Sequence, residues 1–480
     1  MKNDKYQVVI GLEVHAQLQT NTKLFCGDSA SFGGAPNTHI SPITLAHPGV
    51  LPKMNKKAIE YAVKLGLALN CEIEQHNYFA RKNYFYPDLP KGYQISQHTT
   101  PICKNGRVII SVNNEEKSIA LNRIHLEEDA GKSLHDVDEN YTAIDLNRAG
   151  VPLLEIVSEP VLHSSDEAFA YVTALRKLVR WLNICDGNME EGSMRCDANV
   201  SIRLKGVTTL GTRVEVKNLN SIRNVKRAID IEVERLIAIT EAGEKVIQET
   251  RSYNADNNTT FSLRSKEDAD DYRYFADPDL TPFYISNTYI ATIKESLPPL
   301  PEALEKKYQK DYHLQAYDAQ VICNDKEMVD FFEAVILHTN HYKAVVNWLM
   351  GPIKSYLNDH GIALSQFALS PQKIAELIQL VDDGKVNFGI ASTKILAAML
   401  VSPHKAALEI ATSLNLVQES NTGSIVVWVD EVIATMPDKV KEYKNGKKGL
   451  IGMFAGEVKK LSKGKADMQL VNQLLAEKLN

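Results

Sequence analysis

The chain has 480 residues, 44% hydrophobic and 24% charged, with a net charge of -6. This length and composition predict a globular protein of about two to four domains. The acidic balance excludes nucleic-acid binding by bulk charge, so such binding needs a local basic patch. No stretch approaches the roughly 18 apolar residues of a membrane span. Met1-Lys2-Asn3-Asp4-Lys5 leads into a strand pattern without an apolar signal region, so a cytoplasmic protein free of membrane contact is expected.

The first element is the strand Val8-Val9-Ile10-Gly11-Leu12-Glu13-Val14-His15-Ala16-Gln17-Leu18. Alternate side chains of a strand face opposite ways. Val8, Ile10, Leu12, Val14 and Leu18 are expected on the core side, and Glu13, His15, Gln17 and Gln19 on the other. Glu13 beside His15 reads either as an edge for a divalent cation or as a solvated polar face. An apolar strand over 119–124 runs into His125-Leu126-Glu127-Glu128-Asp129. Adjacent acids repel one another, which either a cation or a solvated turn would relieve. Ala130-Gly131-Lys132-Ser133 imitates the end of a phosphate-cradling loop, but the motif needs glycine where Leu126 stands, so a Walker-type site is rejected. Glu155 lies inside the apolar run Leu153-Leu154-Glu155-Ile156-Val157, a costly place unless it pairs with Arg148 or a cation.

Helices are predicted over 165–182 and 222–242 from their apolar spacing. The dense prolines of Leu297-Pro298-Pro299-Leu300-Pro301 can continue neither helix nor strand. Amphipathic helices are predicted beyond them, over 329–338, 345–357 and 370–381, the last with a Ser-Pro start. From 406 the chain reads as helical and basic. Nine lysines between 439 and 465 face only Glu442 and Glu457, a local charge of +7. This is either a solvated helical face or a contact for RNA phosphates, where Gly446, Gly449, Gly452 and Gly456 would let backbone come close. The expected architecture is α+β: a large mixed α/β domain over 1–293, an all-helical domain over 294–405 and a small helical tail domain over 406–480. Cys26, Cys71, Cys103, Cys185, Cys196 and Cys323 are scattered without a C-x-x-C pair, which predicts reduced thiols.

Several long motifs occur together. They are the opening strand, Arg81 through Gln97 with Asn83-Tyr84-Phe85-Tyr86-Pro87-Asp88-Leu89-Pro90-Lys91-Gly92-Tyr93, His125 through Ser133, Asp145 through Pro160, Glu190 through Asn199, Asp271-Tyr272-Arg273-Tyr274-Phe275 and Leu470 through Leu475. In this order they resemble the B subunits of the glutamyl/aspartyl-tRNA amidotransferases, over essentially the whole chain. The archaeal relative specific for glutamyl-tRNA carries a large insertion that this length does not accommodate.

The resemblance implies an ATP- and Mg²⁺-dependent ligase. ATP phosphorylates the side-chain carboxylate of Glu-tRNA(Gln) or Asp-tRNA(Asn), and ammonia displaces the phosphate. The ammonia comes from a glutaminase A subunit through a channel, and a small C subunit completes the heterotrimer. By the same resemblance Glu13, His15, Glu128 and Glu155 line the metal site; Glu128 is also expected to touch the ammonia exit, because it lies where metal and channel should meet. Lys82 and Lys91 contact phosphate or line the ammonia path. Tyr84, Phe85 and Tyr86 either stack on a terminal adenosine or pack in the core. Lys447, Lys448, Lys459, Lys460, Lys463 and Lys465 belong to a tail that grips tRNA away from its acceptor end. Many members also bind zinc through four cysteines near the N-terminus. Here Cys26 matches the first, but Asp28, Ser41 and Thr44 stand at the others, so no zinc is expected. The chain carries no Ser-Lys amidase signature and no defensible Cys–His nucleophile, which places the glutaminase on another chain. A tRNA-binding scaffold without catalysis and a free-standing ligase using dissolved ammonia are the rival readings.

Overall fold

The computed structural model describes residues 5–113, 115–135, 137–265, 272–417, 422–462 and 466–479. Asp271, Lys463 and Lys465 lie outside the described residues. The chain divides inside the proline run, into the units Met1–Leu300 and Pro301–Asn480, rather than after residue 293. The architecture is α+β, with the strands concentrated in the first unit and helices filling the second.

The first unit is built on one large sheet, ten-stranded among the described residues. Its centre is β1 (Tyr6–Gln17). After it come β2 (Ala80–Asn83) and β3 (Tyr93–Ser96), which pair with each other in a smaller sheet. The large sheet resumes with β4 (Glu115–Glu128) and β5 (Pro152–Ser158), then β6 (Met194–Leu204) and β7 (Val214–Lys217). Across it the central order is β7-β6-β1-β5-β4, all antiparallel.

Helices α1 (Ser165–Trp181) and α2 (Ile222–Glu241) pack on each other and on this sheet. Each starts one residue after a serine, Ser164 and Ser221, whose side chain accepts a backbone N–H of the first turn. Their apolar stripes, including Val172 and Leu175 on α1 and Val225 and Leu236 on α2, are fully buried. Ile10, Leu12, Val14 and Ala16 are likewise sealed from water. Val9 is buried, whereas Val8 near the strand's start is only half-buried. Glu13, His15 and Gln17 on the opposite face keep partial access to solvent.

In the second unit the predicted helix over 345–357 is longer. Helical segments Tyr342–Trp348 and Lys354–His360 are joined through a π turn at Leu349–Ile353. Pro352 lies in that turn and has no N–H to donate, which favours the wider winding. The helix Pro371–Asp382 starts as its sequence dictates, with Ser370 as cap and proline in the first turn. Helices Thr422–Thr435, Ile451–Leu461 and Met468–Leu479 share a cluster of their own around Ile425, Phe454, Val458 and Leu475. Among the described residues no helix is long and apolar enough to cross a membrane.

Candidate active site

The half-exposed face of the central sheet forms the floor of a cavity of about 730 Å³. Strand register decides which side chains meet there. His15 of β1 sits opposite Glu155 of β5 on one side and Arg195 of β6 on the other. Glu155 in turn sits opposite His125 of β4. One step along, Glu127 pairs with Leu153 and Leu153 with Gln17, which brings Glu127 onto the same face as His125 and Glu155. Glu13 stands opposite Asp197.

Donor atoms of His15, Glu127 and Glu155 all lie within 4.8 Å of one another. His15 Nε2 is 3.5 Å from Glu155 Oε2 and 3.9 Å from Glu127 Oε1. His125 backs the group, with Nε2 at 3.3 Å from Glu155 and 3.5 Å from Glu127. Burial alone would lower the His125 pKa, but Glu155 and Glu127 outweigh it and hold it up at about 9. Glu155 shows the reciprocal effect: burial pushes its pKa up, and His125 and His15 bring it well below the usual range.

The remaining charges sort into pairs. Buried Asp129 accepts from Arg195 at 3.0 Å and from Gln17 at 2.7 Å. Lys217 Nζ lies 2.7 Å from Asp197 and 3.1 Å from Glu215. Glu13 has instead a neutral partner, the Asn199 amide at 2.9 Å, and its pKa is raised by burial and by Glu155. Negative charge is therefore least compensated at Glu13, whereas Glu155 and Glu127 face the His15 and His125 imidazoles. Carboxylate oxygens with one imidazole suit a hard divalent cation such as Mg²⁺, and a cation there would relieve that repulsion.

Glu13, His15 and Glu155 come together on the cavity floor with Lys82 on its wall. Lys82 Nζ lies 4.7 Å from the centre of the Tyr272 ring. Glu128, expected among the metal ligands, lies outside the group of possible donors formed by His15, Glu127 and Glu155. Neighbouring residues of a strand face opposite sides, so Glu127 joins His125 while Glu128 turns away. Glu128 is 3% exposed, pairs with Lys91 at 2.5 Å and accepts the Ile95 N–H at 2.8 Å. Lys91 is thereby committed to this ion pair, outside the cavity lining. Glu13 stands beside the three-residue group rather than in it. Arg148 does not pair with Glu155; it donates to the carbonyls of Ala130 and Gly131. Tyr84 and Tyr86 line the cavity, whereas Phe85 is 82% exposed and belongs to no core.

Arg195, Asp197, Glu215 and Lys217 escaped the sequence reading. Their signal was there, as charges alternating at a spacing of two on neighbouring strands. Near the N-terminus, Cys26 donates to Asp28 at 3.3 Å, and Thr44 donates to the same carboxylate, so these positions form a hydrogen-bonded knot. In the tail, Lys447 pairs with Glu442 at 3.0 Å and Lys460 with Glu457 at 2.5 Å. Lys448 lies over the Tyr443 ring and Lys459 is exposed.

Such a cavity, with carboxylate and imidazole donors below and cationic and tyrosyl side chains around, is of the chemical class suited to gathering anionic groups around a cation. Similarity to known proteins places it in a particular family. The family described as "GatB/GatE catalytic domain" matches residues 8–291, and that described as "GatB domain" matches 330–479. The B subunit of aspartyl/glutamyl-tRNA(Asn/Gln) amidotransferase from Geotalea daltonii is 49% identical over 478 residues, covering 99% of both chains. The proteins of the same name from Syntrophotalea carbinolica and Nitratidesulfovibrio vulgaris are 48% and 47% identical, again over 99% of each chain. The chain belongs to the family of amidotransferase B subunits.

Proposed function

We propose that this chain is the synthetase half of a tRNA-dependent amidotransferase, acting on Glu-tRNA(Gln) and Asp-tRNA(Asn). The observation that carries the reading is the His15, Glu127 and Glu155 group on the floor of a cavity walled by Lys82, in a chain related to amidotransferase B subunits from end to end.

A carboxylate is a poor electrophile, because its charge repels nucleophiles and oxide is a poor leaving group. Transfer of the γ-phosphoryl group of ATP to a carboxylate oxygen gives an acyl phosphate and ADP. Ammonia then attacks the carbonyl carbon, the C–O bond to phosphate breaks, and loss of a proton leaves the amide. His15, Glu127 and Glu155, with Glu13 beside them, would hold Mg²⁺, which supplies neutralisation of phosphate charge. Lys82 would place positive charge beside the phosphate oxygens, and Tyr84 and Tyr86 offer ring faces for a nucleoside.

Ammonia would reach the site from a glutaminase A subunit, with a C subunit completing the complex. The Lys91–Glu128 pair, immediately behind Glu127, is the proposed ammonia entry. Glu128→Gln should abolish amide formation while leaving glutamine binding by the A subunit intact, and normal transamidation in that variant would remove Glu128 from the mechanism. The tail from 406 onward would act as a tRNA-binding domain through Lys447, Lys448, Lys459 and Lys460, joined by Lys463 and Lys465. Open space around Gly449, Gly452 and Gly456 supports close approach of a backbone there.

The test is reconstitution of the chain, alone and with its A and C partners. It is given ATP, Mg²⁺, glutamine or ammonium, and Glu-tRNA or Asp-tRNA. Amide formation with ammonium by the B chain in the complex supports the reading. Binding of tRNA without ATP hydrolysis would leave a scaffold only, and full activity without partners would make it a free-standing ligase.

A further inference from the structure

Lys82 differs from the other cations of the cavity. Arg195 faces Asp129, and Lys217 faces Asp197 and Glu215. Among the described residues the Lys82 ammonium makes no ion pair. It lies instead in the corner of two aromatic rings, 4.7 Å from the centre of Tyr272 and 5.6 Å from that of Tyr84. The rings meet edge to face, with their centres 6.0 Å apart and their planes at 69°. Both ammonium distances fall within the roughly 6 Å over which the negative face of a ring attracts a cation. The two kinds of partner differ in consequence. A carboxylate cancels the charge it pairs with, so the pair attracts an incoming anion only weakly. A ring carries no net charge, so it holds the ammonium in place and leaves a full positive charge facing the cavity.

The residues on either side of Lys82 fix where Tyr272 lies. The short strand Phe275–Ala276 pairs with β2, Phe275 opposite Arg81 and Ala276 opposite Ala80. Arg81 reaches along this segment, with Nε 2.7 Å from Asp277 and Nη2 2.8 Å from Asp279. On the other side of Lys82, Asn83 donates its backbone N–H to the Tyr272 carbonyl at 3.0 Å. Its side-chain amide donates to the Arg273 carbonyl at 2.9 Å. Arg273 has a φ of 44°, in the left-handed region that a residue with a Cβ enters only where its surroundings over-determine it. The Asn83 hydrogen bonds supply that constraint. Beyond it, Tyr274 meets Tyr272 edge to face at 6.0 Å and itself stacks on His98 at 3.9 Å. Backbone and ring neighbours together hold Tyr272 against the ammonium.

We propose that Tyr272, with Tyr84 beside it, is a positioning residue for Lys82, holding the ammonium in place without neutralising it so that its whole charge meets the reacting anion. The proposal rests on the ligase reading above, in which Lys82 meets phosphate oxygens. The ring acts through Lys82 and touches no substrate itself. An ion pair at Lys82 would fix the side chain equally well but would leave the wall without net positive charge. The aromatic corner separates these two effects, position and neutralisation.

The test is a series at position 272 in the complex reconstituted with its A and C partners. It starts from Tyr272→Phe and continues with phenylalanines carrying one, two and three ring fluorines in the same place. Fluorine drains negative charge from the ring face while nearly keeping its shape, so packing is retained and attraction for a cation is lost. Amide formation with ammonium is measured alongside the unfolding midpoint of each variant. We expect kcat to fall stepwise with each fluorine, by roughly three- to thirty-fold over the series relative to Tyr272→Phe. The KM for aminoacyl-tRNA and the unfolding midpoint should stay unchanged. A flat kcat series overturns the proposal. A loss of activity that follows the midpoint also overturns it, returning Tyr272 to ordinary packing. Should the wild-type complex form no amide, the ligase reading fails by itself. Binding of inorganic tripolyphosphate with Mg²⁺ by the full-length chain then decides the role of the ring: stepwise weakening supports it, and unchanged affinity overturns it.

Discussion

His15 and Glu155 face each other across β1 and β5, with the imidazole Nε2 3.5 Å from a carboxylate oxygen. They are far apart in sequence, and the antiparallel register puts them side by side on the cavity floor. Glu127 joins them only because β4 presents it on the same face as His125.

That alternation separates two neighbouring acids by experiment. Glu127→Gln should weaken Mn²⁺ binding, read by electron paramagnetic resonance, with little change in unfolding midpoint. Glu128→Gln should leave Mn²⁺ affinity in place but cost about 1–3 kcal/mol of stability, because half-buried Lys91 loses its counter-charge. If Glu128→Gln abolishes metal binding and Glu127→Gln does not, the assignment is reversed.

Asp129 predicts an acid-side dependence of stability. Burial pushes its pKa up, but Arg195 and Arg148 hold the folded carboxyl below its ordinary value. The folded state therefore binds its proton less readily than the unfolded state. The contribution is full above about pH 3.9, the unfolded value, and is lost as pH falls through the depressed folded value. Denaturation at a series of pH values should show Asp129→Asn less stable near neutrality, by on the order of 3 kcal/mol, with a shallower decline toward acid. A wild-type slope in that variant would contradict the pairing.

Tyr171 on α1 is fully buried, and its hydroxyl has no hydrogen-bond partner among the described residues. An unsatisfied buried hydroxyl costs about 1–3 kcal/mol. Tyr171→Phe should be neutral or stabilising, seen as an unchanged or raised urea midpoint. A loss of more than about 1 kcal/mol would mean the hydroxyl has a partner, such as ordered water.

The tail's lysines should act through phosphate charge. Replacing Lys447 and Lys448 by alanine should weaken tRNA binding and flatten the slope of log affinity against log salt, by about 0.7–0.9 for each phosphate no longer neutralised. Deleting residues 406–480 should weaken tRNA binding strongly and leave glutaminase activity of the assembled complex intact. Unchanged tRNA affinity after deletion would end the role.

Around Cys26 the carboxylate of Asp28 takes the centre. Burial pushes its pKa up, and hydrogen bonds led by that of Thr44 hold it low. Metal analysis should find no stoichiometric zinc, and a chelator should leave the thermal midpoint unmoved. Asp28→Ala should cost about 1–2 kcal/mol by leaving the Thr44 hydroxyl and Cys26 thiol without their acceptor.

The sequence by itself determined the strand and helix periods, the Ser-Pro start at Ser370, the break at the prolines and the family, because each is written in local spacing or in long motifs. It also pointed to Glu13, His15 and Glu155, since a carboxylate in an apolar strand announces an unusual environment. Only the tertiary structure put Glu127 on the cavity face and Glu128 against Lys91, because a run of acids says nothing about which face turns inward until the strand's partner is known. The same holds for Asp129 with Arg195 and Lys217 with Asp197. Each depends on cross-strand register, which is set by long-range pairing rather than by neighbours in the chain.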